Sequence, residues 1–160
     1  MKRFNSFGAF AAHLERLALA GPEVVHFIAD RAAEDIEKNA KGMLGEYQSA
    51  VGQFPAWEEL AESTQAERAR LGYSENDPGF RSGEAQASIG RHVEHGHAVV
   101  GSSDRNLVWF DLGTSKQPPR PVFGPAAIHA TPRIMAMAAW TTFAWVSGRG
   151  WRRGRITSGG

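Results

Sequence analysis

Three histidines, His92, His95 and His97 in "RHVEHGH", form the densest group of potential metal ligands in the chain. On a strand, His95 and His97 would share a face while His92 points to the other, and a turn at Gly96 disturbs even that pairing. No His-Glu-x-x-His helix motif accompanies them, and no nearby carboxylate has facial-triad spacing. They read as histidines on a surface hairpin, with a zinc site as the alternative. Ser, His and Asp are all present, but there is no Gly-x-Ser-x-Gly elbow, and "GSSDRN" (101–106) reads without the strand-to-helix context that exposes a nucleophile. "GRGWRRG" has no Lys-Ser/Thr completion and no following helix whose N-terminus could receive a phosphate. The chain has no cysteine, which removes thiolate catalysis, disulfides and Cys-ligated metals together. Neither an enzyme nor a cofactor or metal protein is expected.

One electrostatic feature remains. Arg149, Arg152, Arg153 and Arg155 surround Trp151 near the C-terminus and could contact DNA phosphates while the indole stacks on a base. A solvated basic end is the alternative. The whole chain carries 18 Lys+Arg against 17 Asp+Glu, a net charge of +1, so any nucleic-acid role would have to be local.

The elements that would position these groups follow from periodicity. With 160 residues and 42% hydrophobic content, one domain with mobile ends is expected, residues 1–147, followed by a basic tail at 148–160. Phe4, Phe7, Phe10, Leu14 and Leu17 recur at helical spacing, and Gly21-Pro22 should end that first short helix. A long helix over about 22–47 would place Val25, Ile28, Ala29, Ala32, Ile36, Ala40, Met43 and Leu44 on one face. Glu34/Lys38 and Glu37/Lys41 form i,i+4 pairs on the other. Residues 48–80 read as a loop-rich excursion containing a short helix near 63–71, where Thr64 and Glu67 have capping-box spacing. From Ala85 the pattern is strand-like, "AQASIGRHVEH" and "AVVGSS", joined by a turn at Gly96-His97. Thr131-Pro132 suit the start of a closing helix over 132–147 that is apolar almost all round. The expected fold class is α+β, a long N-terminal helix packed on a small antiparallel sheet with a C-terminal apolar helix.

The N-terminal "MKRFNSFGAFAAHLERL" is interrupted by Asn5, Ser6, His13 and Glu15 before a usable apolar core, so it reads as a cytoplasmic product rather than a secreted one. The apolar run "IMAMAAWTTFAWVSG" falls short of the roughly 20 residues that span a bilayer. Trp109 and Trp140 read as core. Trp145, with Trp140 and Phe143 on the same over-apolar helix, is a candidate for an interface with another subunit.

Four segments in order, "FPAWEELAESTQAERARLGY", "DPGFRSGEAQASI", "AVVGSS" and "VWFDLGTSKQPPRPVFGPAA", carry a pattern that resembles the neck, or tail-completion, family of long-tailed bacteriophages, also described as minor tail or virion morphogenesis proteins. Trp57 and Leu60 match a Trp-x-x-Leu element. Arg81, Gly83, Ser88 and Ile89 match an Arg-Thr-Gly-x-Leu-x-x-Ser-Ile stretch, and Val100 and Gly101 match a Val-Gly strand end. Leu112, Gly113, Thr114, Pro119, Arg120 and Pro121 match a Glu-x-Gly-Thr element followed by a proline-flanked Arg-Pro-Phe. Departures are Ser82 for Thr, Ala85 for Leu, Asp111 near the customary Glu, and Val122-Phe123 for Phe-Leu.

The resemblance, which runs from about residue 22 to 135, implies a structural virion protein at the head–tail junction. Such a protein assembles as a ring around a DNA channel and joins tail to head. Its implied partners are further copies of itself, connector or head-closure proteins, and tail-tube or tail-terminator proteins, with packaged DNA as a non-specific contact. Its implied location is the virion, and the host cytoplasm during assembly. A tail terminator or head-closure ring is the runner-up, since small α+β ring proteins share this architecture. A small nucleic-acid-binding protein acting through the basic tail comes from a different class. Read this way, the proline-rich stretch is a joint. Val108 to Leu112 (with Trp109) bring an apolar face to the long helix, Gly113 lets the backbone reverse, and Pro118, Pro119 and Pro121 hold Arg120 in an extended connection. The excursion 48–80 and the tail 148–160 are the segments expected to order on docking.

Overall fold

A computed structural model describes residues 3–153. The fold is α+β, with α1 (Phe7–Met43), α2 (Glu62–Arg70), α3 (Glu84–Ala87), the antiparallel strands β1 (Ile89–Glu94) and β2 (His97–Ser102), α4 (Arg105–Leu112), α5 (Phe123–Val146) and a 3-10 turn at Trp151–Arg153. Among the described residues, no helix is long and apolar enough to cross a membrane.

The N-terminal segment corrects the expectation of a break at Gly21-Pro22, because α1 runs through it as one helix of 37 residues. Pro22 removes the amide that would bond the Ala18 carbonyl, a loss of about 3 kcal/mol in a helix interior. Packing offsets it. The indole of Trp145 lies against Gly21, where an added Cβ would sit 3.7 Å from Cζ2, and its Nε1 donates to the Leu17 carbonyl at 3.2 Å.

The chain packs into two compact units, residues 34–92 with 99–130, and the described parts of 1–33, 93–98 and 131–160. In the first of these, Ala40 and Met43 of α1 and Leu44 just past its end close on Trp57, Ile89, Leu107, Val122 and Ala126 to form one apolar core. The Glu37 carboxylate binds Lys41 one turn on and Arg91 of β1, which ties the strand to the helix. Both hydrogen bonds hold the Glu37 carboxyl below its ordinary value. In the second unit, Val24 and Ala33 of α1 and Met137 and Thr141 of α5 are buried. Val24, not the expected Val25, is the buried valine of that turn. Val25 is half exposed and serves as the seat of the hairpin turn instead, because a Cβ on Gly96 would fall 2.5 Å from its Cγ1.

That turn is one residue earlier than the sequence suggests. His95 and Gly96 both have positive φ, 48° and 79°, the mirror-image geometry that a two-residue hairpin with right-handed strand twist requires. The strand expected from Ala85 begins only at Ile89, since residues 84–87 form a helical turn after Gly83 at φ 86°.

Two helices differ from expectation at their starts. "GSSDRN" does lead from strand to helix, with Asp104 as N-cap of α4 accepting the Asn106 amide at 2.8 Å. Residues 108–112 are accordingly helical. The closing helix begins at Phe123, not near Pro132, because Asp111 supplies what local sequence does not. Its Oδ1 accepts the amides of Val122 at 2.6 Å and Phe123 at 3.2 Å. A carboxylate at a helix N-terminus satisfies orphan donors and complements the macrodipole. Pro132 then lies inside α5. The short helix of the excursion is α2, which starts at Glu62 with no side-chain cap, so the Thr64/Glu67 box does not form.

Candidate functional site

The residues that carry the sequence pattern converge on one locked joint in the unit formed by 34–92 and 99–130. Trp57 is 5% exposed; its indole Nε1 donates to the Pro121 carbonyl at 3.0 Å, and its ring meets Phe110 edge-on at 5.2 Å. Arg120, 3% exposed, donates from Nε and Nη2 to the Glu58 carbonyl at 3.1 and 2.9 Å, and from Nη2 to the Glu59 carbonyl at 3.0 Å. Its own amide returns to the Phe110 carbonyl at 2.9 Å, and its guanidinium stands over the Phe110 ring. The Arg120–Pro121 segment is therefore sewn to the 57–59 segment on one side and to α4 on the other. Burial pushes the Arg120 pKa down from its ordinary value, opposed by Tyr47 and Glu58.

Gly113 is the hinge of this joint. Its φ of 76° and ψ of 173° lie in a region open essentially to glycine alone. A Cβ there would sit 2.7 Å from the backbone nitrogen of Pro119 and 3.1 Å from the Gln117 carbonyl oxygen. Thr114 and Gln117 pair across the loop so formed, and the Thr114 Oγ1 accepts the Lys116 amide. Ser88 meets Ser102 hydroxyl to hydroxyl at 2.6 Å where the hairpin closes, and Ile89 is buried beside it. Val100 packs against the same core.

Other pattern residues face outward. Arg81 is half exposed, its guanidinium over the Tyr73 ring and 3.7 Å from Glu67. Leu60 is half-buried, its amide donating to the Tyr47 hydroxyl at 3.1 Å. Gly101 has open space around its Cα. Trp109, read from sequence as core, is 50% exposed, and Leu112 is 71% exposed, because α4 turns Leu107 and Phe110 inward and these two away.

No family model matches the chain, and comparisons with curated proteins and with solved structures return no match.

The three candidate interface residues of α5 separate. Trp140, also read as core, is 67% exposed and Phe143 53%; their rings meet edge-on at 6.0 Å. With Met135 and Val146, also exposed, they form an apolar stripe along one side of the helix, at successive intervals of five, three and three residues. Trp145 lies elsewhere, half-buried on α1 through its bond to Leu17.

The basic tail folds back in part. Trp151 packs edge-on against Phe27 at 5.5 Å, Arg152 pairs with Glu23, and the Arg149 guanidinium stands over Phe143. Arg153 belongs to the 3-10 turn, and Arg155 lies outside the described residues. His92, His95 and His97 are all exposed on the hairpin. His95 faces Glu94, and among the described residues no group of three His, Asp or Glu side chains is placed to hold a metal ion.

Three contributors escaped the sequence reading. Arg68, 7% exposed, donates from Nε to the Ser74 carbonyl and from Nη2 to the Phe80 carbonyl, both at 2.6 Å. The Tyr47 hydroxyl donates to Asn76 at 2.7 Å, and Asp111 caps α5. An acid immediately before Leu-Gly-Thr, twelve residues ahead of the start of α5, was the signal available for Asp111; nothing in residue type marks Arg68.

Proposed function

We propose that this chain is a structural virion protein of a long-tailed bacteriophage, a tail-completion or neck subunit that joins tail to head by forming a ring, and that it has no catalytic turnover. The observation that carries the reading is the outward stripe Met135, Trp140, Phe143 and Val146 on α5. A contiguous exposed apolar face on a soluble subunit marks a contact with another protein. A ring demands such a face on each subunit, met by a different surface of the next copy. The joint supports it. Trp57, Gly113 and Pro121 spend their hydrogen-bonding groups and conformational restrictions on internal architecture, as does Arg120 through Nε and Nη2, as a scaffold would, and not on a reaction centre.

In this reading the ring contacts a connector or head-closure protein on one side and a tail-tube or tail-terminator protein on the other, and resides in the virion. Direct DNA binding through the tail is the weaker reading, because Arg152 is paired with Glu23 and Arg149 lies over Phe143. The test is electron microscopy of particles made with a Trp140→Glu, Phe143→Glu variant. Filled heads and separate tails, with the purified variant folded, are the expected outcome. Normal joined particles would overturn the proposal.

A further inference from the structure

The unit that holds the joint also holds an open cleft of about 460 Å³, and two nearly buried arginines line it. Arg68 and Arg120 are 7% and 3% exposed. Each spends Nε and Nη2 on backbone carbonyls, and neither makes an ion pair among the described residues. In both, Nη1 donates to no described atom. No buried side-chain nitrogen or oxygen lacks a hydrogen-bond partner among the described residues, so these two Nη1 groups must be reached by solvent. Both residues line the cleft, and we infer that their Nη1 groups are reached from it.

Two nearly buried guanidinium charges whose hydrogen bonds go to neutral carbonyls, with no carboxylate in ion-pair contact among the described residues and only the electrostatic influence of Tyr47 and Glu58 on Arg120, are an incomplete electrostatic arrangement. A buried charge is ordinarily paired, and the planar N–H edge of an arginine is suited to a carboxylate. Lys116 and Arg81 add positive charge at the rim, while Leu60, Phe110 and Pro118 make part of the wall apolar. Glu58 and Glu59 lie on the same lining and set a limit on the ligand. A phosphodiester strand, charged at every nucleotide, would bring successive phosphates against them. A carboxylate flanked by apolar side chains would not.

We propose that this cleft is a docking site for an acidic, apolar-flanked segment of a partner protein, with a carboxylate supplying the counter-charge to Arg68 and Arg120. The site goes beyond the ring proposal and does not depend on it, since its residues are other than those of the α5 stripe and it takes a different chemistry.

The experiment uses the full chain, isotope-labelled, and an end-capped peptide with one central glutamate flanked on both sides by leucines. Titration should move the Nε–H resonances of Arg68 and Arg120 and the amides of Leu107 and Phe110. The glutamine analogue of the peptide should leave them in place. Lys116→Glu combined with Ala61→Glu, both exposed rim positions, should weaken binding by about tenfold or more with the melting temperature unchanged. Oligothymidylate should not compete. Resonances that stay fixed at millimolar peptide, equal shifts from the glutamine analogue, binding unaffected by the rim variant, or tighter binding of the oligonucleotide would each overturn the proposal. Loss of the ring with retention of peptide binding would overturn only the ring reading.

Discussion

Replacing Gly113 by alanine isolates the joint from everything else in the chain. The perturbation adds one methyl group, but it does so at φ 76° and ψ 173°, where an L-residue is strained by about 1–3 kcal/mol. The methyl carbon would also sit 2.7 Å from the Pro119 nitrogen and 3.0 Å from its Cα. Both are backbone atoms, held in place because the next residue, Arg120, is anchored at Phe110 and at Glu58 and Glu59. Forcing them apart is an overpacking change of about 1–3 kcal/mol. The sum is about 4 kcal/mol, a large part of the stability of an ordinary domain. Gly101→Ala is the internal control. It belongs to the same sequence pattern, but its φ is ordinary and nothing lies within 4 Å of an added Cβ, so its effect should stay within about 0.5 kcal/mol. Urea titrations followed by far-ultraviolet circular dichroism measure both, read as a shift in midpoint at constant slope. A Gly113→Ala chain within about 1 kcal/mol of wild type, by the linear extrapolation used for such titrations, would refute the steric reasoning. So would a Gly101→Ala chain equally destabilised.

Arg120→Lys keeps the charge but cannot reach the Glu58 and Glu59 carbonyls with two fixed donors, and should cost about 2 kcal/mol in the same titration. Trp145→Phe removes the indole bond to Leu17 while keeping most of the ring contact, and should cost about 1 kcal/mol by thermal melting. Glu37 gives a pH signature. Its carboxyl is held below the ordinary value of 4.5 by Lys41 and Arg91, so its stabilising contribution is complete above that value and is lost as pH falls through the lowered one. The stability gap between wild type and Glu37→Gln should therefore be widest at neutral pH and close in acid. A gap that persists in acid would assign it to packing instead.

The fold was legible where periodicity and local chemistry agreed. The long helix through residue 43, the hairpin and the apolar last helix all follow from patterns of 3.6 and 2. What misled the reading was information held at a distance. Pro22 is a helix breaker on local grounds, yet the helix continues through it where Trp145, far along the chain, packs against Gly21 and bonds the Leu17 carbonyl. Pro132 likewise looked like a helix start because the true cap of α5, Asp111, lies in another element. Residue type favours a core for Trp109 and Trp140, although the helices that carry them turn them outward. Within the joint, Gly113 and the prolines were recognisable from backbone chemistry, and the α5 stripe from an excess of apolar residues. The partners of Arg120 were not recognisable, since they are carbonyls and every residue has one.

Asp111 has a consequence for the order of folding. A helix pays its largest entropic penalty in fixing the first turn, and the first amides of α5 are held by a side chain on the final turn of α4. Until α4 is formed and the chain has reversed at Gly113, that nucleating acceptor is out of place, and the first turn of α5 holds Gly124 and Pro125, which are poor helix initiators on their own except for the proline's fixed φ. The two helices are thus coupled in time as well as in space, with α4 acting as the template on which the longer helix starts.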